Sequence, residues 1–238
     1  MSRRNLAFVA LCLVAAAVCV RLGVWQLGRL GERRLRNEFV RARLNFPSVP
    51  LAALPADTGV VRFRRASVRG RYDYAREFVL TGRARNGSPG AHIVTPLRGA
   101  AGGDTVVLVN RGWVYAPDAA TVELARWREG DSAAVTGFVD LFPSPGSGAA
   151  RAANRPRAYR WLDRSLVARE LGAPVAPLVV VARGDTAGMG ASRIPARVEP
   201  PPLDEGPHLN YAVQWFAFAG VALAGLAAFV TAERRKRR

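Results

Sequence analysis

Cysteine is nearly absent from this chain: of 238 residues only Cys12 and Cys19 are cysteine, and both lie in the first apolar run. Seven residues along a helix rise about 10 Å, too far for the pair to bridge. The long middle therefore has no thiol, which excludes thiol redox chemistry, thiolate zinc sites and a CxxC copper shuttle. Histidine is as scarce, with His92 and His208 alone. A hydrolase needs a nucleophile beside a base, yet no GxSxG surrounds any serine. The one imidazole of the middle, His92, sits inside strand-like "AHIVTPL", where a hydrogen-bonded structural role is expected. Asp73, Glu77, Asp104, Asp118, Asp140 and Asp163 are scattered, with no acid/base pairing among them. The Gly-rich "RGDTAGMGASR" lacks the strand, glycine spacing and lysine of a phosphate loop, and reads as a flexible turn. No enzymatic activity is expected. Lysine is missing too: the formal net charge is +17, but of 35 basic residues only Lys236 is lysine. That skew is the mark of GC-rich coding. With no zinc finger, helix-turn-helix or RNA-binding aromatic motif, it does not indicate a nucleic-acid partner.

Long apolar runs stand at both ends. Leu6 to Val20 is uninterrupted, and the pattern continues past Arg21 to Gly28, enough to cross a bilayer with Arg21 snorkelling near the far interface. No small-residue cleavage site follows promptly and a second span exists, which favours a retained anchor over a cleaved signal peptide. That second span is Tyr211 to Val230. It is followed by "ERRKRR" and preceded by Asp204 and Glu205, so the positive-inside rule puts the C-terminus in the cytoplasm. Two spans then place the N-terminus inside as well, and the middle outside. With five residues ahead of Leu6 there is no room for a mitochondrial presequence, and a bacterial cytoplasmic-membrane protein is expected. The expected segments are a cytoplasmic start (1–5), a first span (6–27), an extracytoplasmic domain with a helical lead-in (28–207), a second span (208–231) and a basic tail (232–238).

"LGRLGERRLRNEFVRARL" reads as a continuation of the first helix, with Leu27, Leu30, Leu35 and Phe39 at helical spacing. Gly28 and Gly31 within it suggest close packing. From Val60 the period turns strand-like: "VVRFRRASVRGRY", "EFVLTGRAR", "HIVTPLR", "DTVVLVNRGWV", "AAVTGFVDLF" and "VAPLVVVAR" are β-branched or alternating, and separated by turn signals. Asp118–Trp127 and Asp163–Leu171 read as short helices, each opened by an Asp suited to N-capping. Residues 142–157, "FPSPGSGAARAANRPR", read as a mobile loop. The fold class is thus an α+β membrane protein, in which a two-helix transmembrane hairpin encloses an antiparallel β-rich, barrel- or sandwich-like domain. Within that domain "NRGW", Asn110 to Trp113, ends an apolar strand with a basic and an aromatic residue. It reads either as a turn stapled by its tryptophan or as a partner-docking surface.

The membrane ends carry the remaining polar signals. His208 shares a helical face with Tyr211 and Trp215, and Asn210 and Gln214 form a second stripe four residues apart. An aromatic belt accounts for Trp25, Tyr211 and Trp215. Gln214, about a turn inside hydrocarbon, needs a hydrogen-bond partner. The polar stripe is therefore expected to face the first helix, with Gln26 as partner. For His208 two readings stand from spacing alone. It is a solvated interfacial residue, or it is the axial ligand of an amphipathic haem whose propionates would meet Arg21 and Arg29.

These stretches resemble the Surfeit locus protein 1 family of assembly factors for haem-copper cytochrome c oxidase. The resemblance rests on "RLGVWQLGRL" (Arg21–Leu30), "GRYDY" from Gly70 with "VTPL" (Val94–Leu97) and "VLVNRGWV" (Val107–Val114), and "HLNYAVQWF" (His208–Phe216), in that order along the chain. It implies an inner-membrane protein that is not an enzyme and that helps equip oxidase subunit I with haem, receiving it from haem A synthase. It also implies direct haem a binding, with His208 as iron ligand. Trp25, Arg111, Gly112, Trp113, Tyr211 and Trp215 fall on recurring family positions. The alternative is a scaffold that stabilises an oxidase intermediate without touching haem. One departure is "EGPHL", where many relatives carry asparagines before the histidine.

Overall fold

A computed structural model describes residues 3–143, 155–184 and 194–236 of the chain. Two compact units form, one from Met1–Arg41 with Pro202–Arg238, the other from Ala42–Pro201. The two Gly-rich stretches read as loops fall largely on 144–154 and 185–193, outside the described residues.

The first unit is built from two long helices, α1 (Arg3–Asn45) and α4 (His208–Arg235). Both contain a stretch long and apolar enough to cross a membrane. Most of their buried positions repeat every seven residues, Ala16, Gly23, Leu30 and Asn37 on α1 and Ala212 and Ala219 on α4, with Val40 three residues beyond Asn37. Small residues on the seam allow the backbones to come close. The helices run antiparallel: Phe8 meets Phe229 with ring centroids 4.8 Å apart, Gly23 lies against Phe216, and Gln26 reaches His208. A Cβ placed on Gly23 would stand 2.7 Å from the Phe216 ring, so any larger residue there displaces that side chain. Gly28 and Gly31 have nothing within 4 Å of such a Cβ, which corrects the expectation of close packing at those two. Likewise only Leu30 of the four spaced apolar residues is buried; Leu27, Leu35 and Phe39 are exposed.

The second unit is a mixed eight-stranded sheet closed on itself. In chain order its strands are β1 (Val49–Pro50), β2 (Arg65–Tyr72), β3 (Phe78–Arg85), β4 (Ser88–Arg98), β5 (Val106–Tyr115), β6 (Ser132–Leu141), β7 (Ala158–Tyr159) and β8 (Val175–Arg183). The hydrogen-bonded order is β1-β2-β6-β8-β5-β4-β3-β7, and β2 pairs β4 as well through Arg71–Arg98 and Tyr72–Leu97. Strands β2, β6, β8, β5 and β4 therefore form a barrel-like ring. Six of the strands follow the alternating or β-branched runs of the sequence. The antiparallel expectation needs amending, because β1–β2, β3–β7 and β5–β8 pair parallel.

Both faces of the ring are covered. Val107 and Val109 of β5 join Val68, Leu97, Val139 and Val180 in one cluster, while Val106 and Leu108 pack with Phe78, Leu162, Val167 and Leu171 in another. A strand buried on both faces reads as a continuous apolar run, which is why "VVLV" does not alternate. The second cluster is capped by α3 (Arg164–Leu171), started by Asp163 accepting from Ser165 and Leu166 N–H and ended by left-handed Gly172. Asp118 behaves differently. Its carboxylate accepts from Ala120 and Thr121 N–H, and the chain then forms only a 3₁₀ turn at Leu124–Trp127, not the expected helix. The short helix α2 (Thr58–Val61) takes the start of the run read as the first strand.

Candidate cofactor-binding site

His208 is the first residue of α4, delivered by a tight turn. The Asp204 carboxylate accepts from Gly206 N–H at 3.0 Å, and Gly206 takes φ +68°, a conformation that L side chains rarely adopt. The turn is clipped to α1 at two points. Asn37, buried on the seam, donates from Nδ2 to the Asp204 carbonyl at 2.9 Å, and Arg34 makes a two-pronged pair with Glu205, both contacts 2.9 Å. Hydrogen bonding to Arg34 lowers the Glu205 carboxyl below its ordinary range. Both side chains are about half exposed, so the pair fixes geometry more than it adds stability.

The imidazole is half-buried. Its Nδ1 lies 2.8 Å from Gln26 Oε1; a carboxamide oxygen only accepts, so Nδ1–H donates, and in the neutral ring the lone pair is then on Nε2. Nε2 lies beside Gly206, where a Cβ would come within 3.6 Å of it. Among the described residues one ring nitrogen is hydrogen-bonded and the other has no hydrogen-bond partner.

Of the residues singled out beside His208, Trp215 follows one heptad along α4, half-buried and edge-on to Phe218 with centroids 5.9 Å apart. Trp25 and Tyr211 are about half exposed on the outer faces of their helices. Arg21 is exposed on α1, five residues before Gln26, roughly 7.5 Å along the axis. Arg29 is paired with Glu32 at 2.5 Å. The polar stripe is a correction. Asn210 and Gln214 are exposed, on the side of α4 away from the seam, and Gln26 serves His208 instead of Gln214. Gly206, Asn37 and the Arg34–Glu205 pair were not singled out from sequence. "DEGPH" carried the turn signal, but a pairing across about 170 positions leaves no local trace.

The "NRGW" stretch lies in the other unit, and each of its residues has a definite place. Ile93 of β4 faces Gly112 while Val94 faces Asn110, so Arg111 is the extra residue of a β-bulge. Its side chain is completely enclosed. It donates from Nη2 to Glu77 Oε1 (2.7 Å), from Nε to Thr95 Oγ1 (2.8 Å) and from Nη1 to Glu129 Oε1 (3.1 Å) and the Trp127 carbonyl. The rings of Tyr72 and Tyr74 lie 5.5 and 5.2 Å from the guanidinium. Burial raises the Glu77 carboxyl above its ordinary range, opposed by the hydrogen bond from Thr95 and by Arg111. Gly112, at φ +142°, precedes Trp113, which bridges Ala196; a Cβ on Gly112 would stand 2.4 Å from the Ala196 carbonyl oxygen. Trp113 donates from Nε1 to the Arg83 carbonyl at 3.0 Å and is half-buried over Gly90. Asn110, buried, accepts from Gly112 N–H and meets His92 Nδ1 at 3.1 Å. Burial and Arg83 lower the His92 imidazole to about 4, so it is neutral at pH 7. Arg111, enclosed by the barrel, presents no surface for docking, and of the four residues only Trp113 reaches solvent in part.

Comparison with known proteins bears on both units. A model of the SURF1 family matches residues 13–220, from within α1 to the middle of α4. The chain belongs to the SURF1 family. It is 25% identical over 230 residues to a SURF1-like protein of Rickettsia conorii, covering 94% of this chain and 90% of that one. It is 27% identical over 184 residues to Surfeit locus protein 1 of Arabidopsis thaliana, covering 72% of this chain and 49% of the relative. The mouse Surfeit locus protein 1 is 29% identical over 116 residues, 43% of this chain and 38% of the relative. The SURF1 match spans the seam, the barrel and the His208 turn alike.

Proposed function

We propose that this SURF1-family chain is a non-enzymatic assembly factor of a bacterial cytoplasmic membrane, serving cytochrome c oxidase by binding haem a at His208 for delivery to subunit I. The family resemblance supplies the oxidase and the cofactor. The observation that carries the assignment to this site is the bonding of the imidazole: Nδ1 on Gln26, and Nε2 beside Gly206 without a hydrogen-bond partner among the described residues. That arrangement fits an imidazole that would hold haem iron, since a hydrogen bond on one nitrogen fixes the tautomer and orientation of the other. When bound, the haem supplies redox-active iron destined for the oxidase. This chain's residues hold and orient it. Gln26 would keep the lone pair of the neutral ring on Nε2, the Asn37–Asp204 and Arg34–Glu205 clips fix the turn, and Trp215, one heptad along α4, would offer apolar surface beside it. Exposed Leu11, Val14, Val18, Val213, Phe218 and Val221 favour lipid around both helices. Basic residues after α4, against Asp204 and Glu205 before it, favour a barrel outside the cytoplasm.

A haem-independent scaffold is the second reading, and the exposed amides of Asn210 and Gln214 favour it. Carboxamides on the outer face of an apolar helix are suited to hydrogen-bond a helix of another membrane protein. Complementation separates the two. In cells lacking their own SURF1 protein, His208→Ala should leave the haem a absorbance of the oxidase at the level of the empty vector. Gln214→Leu should restore it. Full oxidase with His208→Ala would favour the scaffold.

A further inference from the structure

On the barrel's outer face, beside the strands that form the Arg111 bulge, lies a cavity of about 150 Å³. Its walls are mostly apolar, formed by Leu80, Val94, Leu162, Val179 and Trp161 among others, with Arg83, Asn110 and Asp140 the polar residues of the lining. That volume matches the space a benzene ring fills in an apolar protein cavity. Arg83 donates from Nη2 to the Arg160 carbonyl at 2.8 Å, and the Arg160 guanidinium lies 5.2 Å over the Trp161 ring. Neither arginine forms an ion pair among the described residues. The one carboxylate in the lining, Asp140, is engaged by Arg62 at 3.0 Å and by Leu141 N–H at 2.9 Å. Burial and Arg160 together lower the Arg83 guanidinium from its ordinary range, as expected of a cation without a counter-charge. A half-buried guanidinium facing a ring-sized apolar space is complementary to one kind of molecule.

We propose that this cavity binds a small carboxylate bearing a ring-sized apolar group, with the carboxylate on Arg83 and the apolar group between Val179, Leu162 and Trp161. The source is either a free aromatic acid or the C-terminal residue of a peptide; both offer the same chemistry. The site is independent of His208 and of any haem there.

The test is calorimetric titration of the full chain in lipid nanodiscs, with empty discs as blank, using 3-phenylpropionate. Saturable binding is expected, weakened at least tenfold in Arg83→Gln, since a charge-assisted hydrogen bond is lost. It should vanish with the uncharged 3-phenylpropanamide and persist unchanged in His208→Ala. Val179→Phe, which fills the cavity and keeps the charge, should also abolish it and serves if Arg83→Gln does not fold. A peptide ending in phenylalanine that binds tighter than 3-phenylpropionate, and loses binding on amidation, supports the proposal with a protein terminus as source. The reverse order supports a free acid. Heat indistinguishable from the blank, or wild-type binding by either cavity variant, overturns it.

Discussion

Arg111 and His208 are the two polar side chains around which the two units of this molecule are organised, and they are treated in opposite ways. Arg111 is sealed into the barrel and surrounded by Glu77, Thr95, Glu129 and two tyrosine rings. His208 keeps one hydrogen bond and leaves its second nitrogen beside a glycine. A group whose bonding capacity is taken up inside the protein specifies a fold. A group with one nitrogen held and the other without a partner among the described residues is what the proposed haem ligand would require. Both lie within the stretch matched to the SURF1 family, so membership alone does not separate scaffold from site.

The contrast is tested most severely at Arg111. Arg111→Ala leaves Glu77 buried without its cation and should cost about 3–5 kcal/mol, read as a lowered denaturation midpoint. A loss below about 1 kcal/mol would mean that the network is not closed. Gly112→Ala should cost about 2 kcal/mol, since the position needs positive φ and approaches the Ala196 carbonyl closely. At His92 the effect is a pH dependence. Its folded value of about 4 lies below the unfolded value of about 6.5, so the unfolded chain binds more protons between them. Stability is full above about pH 6.5 and falls as pH drops toward 4, by up to about 1.4 kcal/mol per unit. His92→Asn should flatten that slope in thermal melts recorded across the range. Gln26→Leu should be smallest in stability, below about 1 kcal/mol, yet should weaken haem retention about 10- to 100-fold, as removal of a ligand's hydrogen-bond partner does. A Gln26→Leu protein that retains haem like wild type would leave the tautomer argument without force.

The sequence revealed more of the barrel than of the site. Strand runs such as "EFVLTGRAR" and "VAPLVVVAR" were legible because branched side chains and turn residues act locally. That β5 and β8 run parallel was not legible, since pairing order is decided by which faces must be covered at long range. Arg111 stood out as an oddity, but its enclosure depends on Glu77 and Glu129, 34 and 18 residues away. At the helix pair, the four-residue step between Asn210 and Gln214 placed them on one face, as observed. It did not say which face meets α1. The seven-residue repeat of Ala212 and Ala219 decides that, and turns the amides outward and the histidine inward to Gln26.

The central claim is that His208 holds haem a, and the direct measurement is haem content after purification from cells that also express a haem A synthase. Pyridine haemochrome spectra would be compared for wild type and His208→Ala. The account predicts near-stoichiometric haem a in the wild type and its loss in the variant, with the thermal melt of the barrel unchanged. Wild-type protein free of haem, or a variant that keeps it, would contradict the claim.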